Sequence, residues 1–201
     1  MDISKDFVSQ KLTQDTEGQS EAWFAGMNEN KVLGYSLPTW GLSYWLKPNA
    51  TSADKKVTTD GDWRMIQGPI SWFWGGTWAG ITEKSTKKEE AADLIKYITT
   101  DPTFLKKWAE DKGDFVSSQK VVNEIKDTYE EKFLGGQNHC AAFAAMAENI
   151  NAKILTKYDQ TIETLYIDNC LIPYSKGEKD KKKAIQDFKD AVVNAYPDLK
   201  I

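Results

Sequence analysis

Trp72-Phe73-Trp74-Gly75-Gly76-Thr77-Trp78 places three tryptophans within seven residues, around a pair of glycines. In an alternating strand, Trp72, Trp74, Gly76 and Trp78 share one face. That face is a flat aromatic wall with a gap where Gly76 admits another group to the backbone. Such a wall suits a partner that is apolar on one side and hydroxylated at its edges, as a sugar ring is. The same residues also read as a tryptophan-rich core strand, because large aromatics are highly buried on average. Both readings make the segment β-structure, with Ala79-Gly80-Ile81-Thr82 completing the strand.

Upstream, Lys31-Val32-Leu33-Gly34-Tyr35-Ser36 reads as a buried strand ending at Pro38, and Trp63-Arg64-Met65-Ile66-Gln67 as a second, stopped by Gly68-Pro69. Trp40 to Leu46 predicts a short helix closed by Pro48, and 49–61 a polar loop. The first thirty residues are mostly polar, with a short apolar patch at Ala22, Trp23 and Phe24.

Downstream the pattern turns helical. Thr86 with Glu89 forms a capping-box signature, ahead of Ala91, Leu94, Ile95 and Ile98 at helical spacing. Asp101-Pro102 reads as N-cap and first-turn proline of the next helix, whose stripe is Phe104, Leu105, Trp108 and Ala109 and whose end is Gly113. From Gln137 the chain reads as all-helical. Cys140, Phe143, Ala144 and Ala147 share one face, and Ile162, Leu165, Tyr166 and Asn169 another, up to Pro173. A last helix carries Ala184, Ile185, Phe188, Ala191, Val192 and Ala195 and stops at Pro197.

With 201 residues, 40% hydrophobic and 12% aromatic, the chain has material for one domain or two small lobes. Its amino terminus shows neither a basic nor an apolar leader region, so the expectation is a cytoplasmic protein or a mature piece of something larger. The net charge is −4, and of 26 basic residues only Arg64 is an arginine. Capture of phosphate or guanine edges favours arginine, so nucleic acid is not expected as a partner. An A/T-rich genome explains the lysine excess equally well.

Cys140 and Cys170 have no metal-ligand spacing, and His139 is the single histidine, so neither metal nor cofactor is expected. A Cys140–Cys170 disulfide stays open at this stage. No nucleophile elbow, phosphate-cradling glycine loop or dinucleotide fingerprint is present. Asp60 and Asp62 flank Gly61, but nothing places a second carboxylate at glycosidase separation. No enzyme is expected.

Together the segments resemble a family. Ser85-Thr86-Lys87-Lys88-Glu89-Glu90-Ala91-Ala92 resembles the Ser-Lys-x-Lys-Glu-Ala-Ala helix of extracellular solute-binding proteins (family 1) that serve sugar importers of the ABC class. Gly61-Asp62-Trp63-Arg64-Met65 with Gly68-Pro69, Trp74-Gly75-Gly76-Thr77-Trp78, Phe133-Leu134-Gly135-Gly136-Gln137-Asn138 and Lys157-Tyr158-Asp159-Gln160-Thr161-Ile162 are similar to further segments of that family. So are Tyr174-Ser175-Lys176-Gly177, Lys183-Ala184-Ile185-Gln186-Asp187-Phe188 and Tyr196-Pro197, all in the same order.

The resemblance implies an α/β, helix-rich chain: the carboxy-terminal part of a periplasmic-binding-protein-like II fold. By analogy with maltose-binding-protein-like receptors, 1–68 and 132–201 belong to the second lobe, and 69–131 crosses to the first. The implied function is that of a non-catalytic sugar receptor, extracellular and lipid-anchored in its full-length parent, which passes sugar or an oligosaccharide to the permease subunits. The ligand is held between two lobes by tryptophan stacking and amide hydrogen bonds. The implied ligand-binding residues are Trp40, Trp72, Trp74, Gly75, Gly76, Gln137 and Asn138. Asp159 is read as a helix cap instead. Apolar surface meant for the missing half is expected to be exposed or covered by a second copy. The competing readings are a carbohydrate-active enzyme or its sugar-binding accessory module, and a purely structural helical adaptor.

Overall fold

The computed structural model describes residues 1–29 and 31–200. Its α-helices are α1 Asp2–Ser9, α2 Glu21–Ala25, α3 Lys47–Asn49, α4 Lys88–Thr100, α5 Pro102–Lys112, α6 Gln119–Ile125, α7 His139–Ala147, α8 Asp159–Tyr166, α9 Ile172–Ser175 and α10 Lys181–Ala195. Wider, π-helical turns at Leu42–Leu46 and Ile167–Leu171 lead into α3 and α9. The chain forms two compact units, Met1–Thr16 with the chain from Asn151 onward, and Glu17–Ile150.

The helix-rich character follows from the sequence, but the three predicted strands do not form. Among the described residues the only β-pairs are isolated bridges, Thr51 with Thr58 and Glu131 with Gln137. A strand persists only when a neighbour takes up its N–H and C=O groups. Among the described residues no strand lies beside 31–36, 63–67 or 71–82. Gly75 and Gly76 also take positive φ, +78° and +101°, which ends any alternation between Trp74 and Trp78.

The first unit packs α1, α8, α9 and α10 around Cys170, Tyr174 and Ala184, with Met1, Tyr166 and Phe188 against them. Asp2 ties the helices together, accepting from the Tyr174 hydroxyl at 2.8 Å and from Lys181 at 2.6 Å. Asp180 caps α10, its side chain accepting from the Lys183 N–H, and the predicted stripe buries Ala184 and Val192. Asp159 lies inside the first turn of α8 and binds Thr156. Pro173 does not end this helical stretch: the chain runs through it from Ile167–Leu171 into α9.

In the second unit α5 begins and ends as its sequence predicts. The Asp101 carboxylate accepts from Phe104 N–H, and Gly113 closes the helix at φ +72°. Leu105 and Ala109 are buried with Val121, Val122, Ile125 and Cys140, whereas Trp108 stays 38% exposed. The capping box before α4 is not made. Lys87 stands at the cap without a side-chain capping bond, and the Ser85 hydroxyl accepts from the Lys87 N–H instead. The α4 stripe exists but is uncovered, with Leu94 60% exposed. Both cysteines are free and buried, one in each unit, so no disulfide joins them.

A buried polar group lies beneath α7. His139 is fully buried, with Nε2 at 2.8 Å from the Gly113 carbonyl and Nδ1 unpaired. Glu131 accepts from Lys47 at 2.6 Å, from the Tyr129 hydroxyl at 3.2 Å and from Phe133 N–H at 3.1 Å. Burial drives the His139 pKa below its ordinary value, outweighing the Gly113 carbonyl. Burial opposes the Glu131 charge, yet Lys47 and the Phe133 N–H outweigh it and leave that pKa lowered too.

For both groups the unfolded chain binds protons at a higher pH than the folded one, so the folded state loses stability as pH falls. For His139 the loss begins near 6.5 and ends at its lowered folded value; for Glu131 it begins near 4.5. Urea melts at pH 7.5 and 5.5 are expected to show a less stable protein at pH 5.5, and His139→Phe to remove most of that difference. An equal drop in the variant would place its origin elsewhere.

Candidate functional site

The tryptophans that dominate the sequence meet in the second unit. Ser20 caps α2, accepting from Trp23 N–H at 3.2 Å. That fixes Trp23 at the base of an aromatic stack, with edge contacts to Phe24, Tyr35 and Trp45 at centroid separations of 5.2, 5.0 and 5.4 Å. Tyr35 donates to the Trp23 carbonyl at 3.0 Å. Trp63 donates from its indole to Thr59 Oγ1 at 2.8 Å, and buried Thr59 donates onward to the Met27 carbonyl. The Tyr35 hydroxyl and the Trp63 indole thus both have partners, as largely buried Tyr and Trp edges usually do.

Trp45 links the base to the surface. It is 8% exposed and touches Trp40 at 4.4 Å and Trp74 at 5.5 Å. Trp40 and Trp74 lie 5.8 Å apart at an interplanar angle of 54°. The Trp40 indole N–H donates to the Trp74 carbonyl at 2.8 Å. Gly75 makes that approach possible, because a Cβ there would stand 3.2 Å from Trp40 Nε1. Gly75→Ala, at φ +78°, is expected to cost about 1–2 kcal/mol and to free the Trp40 indole. A thermal melt, with faster exchange of that indole proton, would check it.

The structure therefore brings Trp40, Trp74 and Gly75 together, while Trp74 keeps 44% of its surface exposed. Trp72 is 38% exposed and Trp78 91% exposed. Gly76 lies next to Phe73, whose ring would be 3.5 Å from a Cβ built there.

Gln137 and Asn138 are placed differently. The Gln137 side chain accepts from Met65 N–H and donates to the Met65 carbonyl, both at 2.6 Å, standing in for a neighbouring strand. Asn138 caps α7, accepting from Ala141 N–H at 3.1 Å, and donates to the Lys126 carbonyl. Both amides are occupied by backbone. The one arginine, although exposed, is likewise engaged by backbone: Arg64 donates to the Gly61 and Trp63 carbonyls at 2.7 and 2.6 Å.

Sequence reasoning missed Trp45, Trp23, Tyr35 and Trp63 as parts of this assembly. Among the described residues no group of His, Cys, Asp and Glu could hold a metal ion, and no helix is long and apolar enough to cross a membrane.

No protein-family model and no curated protein matches the sequence. Solved structures do. One is described as an extracellular solute-binding protein of family 1, with 20% identity and a TM-score of 0.67 over 94% of this chain and 48% of that one. Another is an ABC transporter-associated binding protein from B. animalis subsp. lactis Bl-04 in complex with beta-1,6-galactobiose, with 16% identity and a TM-score of 0.67 over 95% of this chain and 48% of that one. This chain has the partial fold of such binding proteins and spans about half their length.

Proposed function

We propose that this chain is the carboxy-terminal part of a carbohydrate-binding receptor serving an ABC importer, with no catalytic step of its own. The observation that carries the reading is the half-exposed Trp74, fixed beside Trp40 by an indole hydrogen bond and resting on the buried Trp45. Stacking a pyranose there removes its apolar face from water, at roughly 25 cal/mol per Å² buried. The binding face comprises Trp40, Trp72, Trp74 and the Gly75-Gly76 backbone, with Gln137 and Asn138 bracing the loops behind it. In the full-length parent the sugar lies between two lobes, with 1–68 and 132–201 in the second and 69–131 crossing to the first. That parent is extracellular, lipid-anchored and docks on permease subunits.

The covering half is suggested by 65–82, which contains no charged residue, although 28% of the whole chain is charged. Ile66, Ile70, Phe73 and Trp78 are exposed along it. Unguarded apolar chain of this kind invites a partner. We therefore expect the isolated chain to bind disaccharides weakly or not at all and to self-associate. A monomer by light scattering at high concentration would contradict the second expectation.

The function is tested by titrating the full-length parent with a disaccharide panel that includes beta-1,6-galactobiose. Binding with a change in tryptophan fluorescence and no release of reducing ends is the expected result. Turnover that is lost on Asp62→Asn would favour a carbohydrate-active enzyme instead, and absence of binding across the panel would contradict the receptor reading.

A further inference from the structure

Near the tryptophan platform stands a carboxylate that the receptor reading leaves unused. The Tyr44 N–H donates to the Trp40 carbonyl at 3.1 Å, which is an α-helical turn. Side chains four residues apart in such a turn are neighbours on one face, about 5–6 Å apart at their Cβ atoms. Tyr44 therefore follows Trp40 along the surface, and its ring is 57% exposed.

The end of α5 is docked along the same segment. Ser43 donates to the Lys112 carbonyl at 3.1 Å, and a Cβ built at Gly113 would stand 3.1 Å from Lys47 Nζ. Asp114 comes next and lies close to the Tyr44 hydroxyl: its charge, followed by burial, holds the phenol pKa above its ordinary value. Asp114 Oδ2 accepts from the Trp108 indole N–H at 2.8 Å. Phe104 packs nearly parallel to Trp108, at 5.9 Å and 26°, and steadies a ring that keeps 38% of its surface exposed. Asp114 Oδ1 is shut off from water and has no hydrogen-bond partner among the described residues.

A carboxylate oxygen held out of water without a donor is unfavourable. This one stands by an indole and a phenol that both keep outward surface. Sugar hydroxyls are donors of the kind it lacks, and the apolar face of a pyranose suits either ring. A turn of the exposed Tyr44 side chain, which is a fast motion at a surface, opens Oδ1 to such a donor. A uronate or a sugar phosphate would bring like charge against the carboxylate.

We propose that Tyr44, Trp108 and Asp114 form a second sugar subsite, beginning one turn beyond the Trp40–Trp74 platform, where the Asp114 carboxylate accepts from the hydroxyls of a neutral sugar unit. The subsite rests on the receptor reading above, and it makes the ligand at least two units long.

The test measures Asp114→Asn and Tyr44→Ala in the full-length parent by calorimetric titration. The ligands are the disaccharide panel above, with maltose, lactose, cellobiose and melibiose among it, and the monosaccharides glucose and galactose. The Asn side chain keeps an acceptor for the Trp108 indole but lacks the charge, so thermal melts should be unchanged. Asp114→Asn is expected to weaken the tightest disaccharide about tenfold. It should leave glucose and galactose, held by the platform alone, within about twofold. Tyr44→Ala, at an exposed position, is expected to act in the same sense and decides the matter where Asp114→Asn does not fold. Unchanged disaccharide affinity in a folded variant, or equal losses for disaccharide and monosaccharide, overturns the subsite and leaves the receptor reading standing. A parent that binds monosaccharides only also overturns the subsite alone. Failure of the unsubstituted parent to bind any of these sugars contradicts the receptor reading, and the subsite falls with it.

Discussion

Trp45→Ala is expected to lower the stability of the Glu17–Ile150 unit by about 3–5 kcal/mol, the usual cost of deleting a buried large aromatic. Trp45 is 8% exposed and borders Trp23, Trp40 and Trp74 at once. It also packs in the cluster of Met27, Leu42, Leu46, Ala50, Phe133 and Leu134. Removing it leaves a void that the rings around it cannot all close, because Trp40 is tied to the Trp74 carbonyl and Tyr35 to that of Trp23. Trp78→Ala is the matched control. At 91% exposure it has little packing to lose, and its cost is expected to be within about 0.5 kcal/mol. Urea denaturation followed by circular dichroism separates the two. Equal costs would mean that Trp45 is not the centre of this assembly.

Trp74→Ala, made in the full-length parent, is expected to weaken disaccharide binding by tenfold to a hundredfold. That is about 1.5–3 kcal/mol, the range for burying one large apolar side chain. The accompanying loss of stability should be smaller than that of Trp40→Ala, because Trp74 touches Trp45 and Trp40 but keeps 44% of its surface exposed and its carbonyl remains to accept from Trp40. Trp40→Ala should weaken binding as well but also lower stability, since it removes a ring in contact with Trp45 and leaves the Trp74 carbonyl without its donor. Gln137→Ala should act on stability first, because its amide pairs with both backbone groups of Met65. Calorimetric titration alongside thermal melts distinguishes these patterns. Unchanged affinity in Trp74→Ala would remove that residue from the ligand.

The helices were readable because their signals are local. Asp101-Pro102 and Gly113 bound α5, and α10 follows its 3.6-residue stripe to the turn before Pro197. The strands were not, because a strand is a pairing of distant chain, and alternation in 71–82 says nothing about whether a partner exists. Pro48 and Pro173 were read as stops, as proline ordinarily is; a wide turn carries the helix through both.

At the site, the sequence drew attention to Trp40, Trp72, Trp74 and the glycine pair. It could not show that Trp40 reaches Trp74 through a carbonyl 34 residues away, nor that Gly75 is small for the sake of that indole. Gln137 and Asn138 look like free amides in sequence. Their partners, Met65 and Lys126, lie 72 and 12 residues distant, so only the folded chain shows them to be occupied.

The most direct test of the account is the set of indole N–H signals in a nitrogen–proton correlation spectrum of the full-length parent, recorded with and without disaccharide. The account predicts that the signals of Trp40, Trp72 and Trp74 shift on saturation, while Trp23 and Trp63 in the base of the stack move little. A bound sugar that leaves the first three unmoved would contradict it.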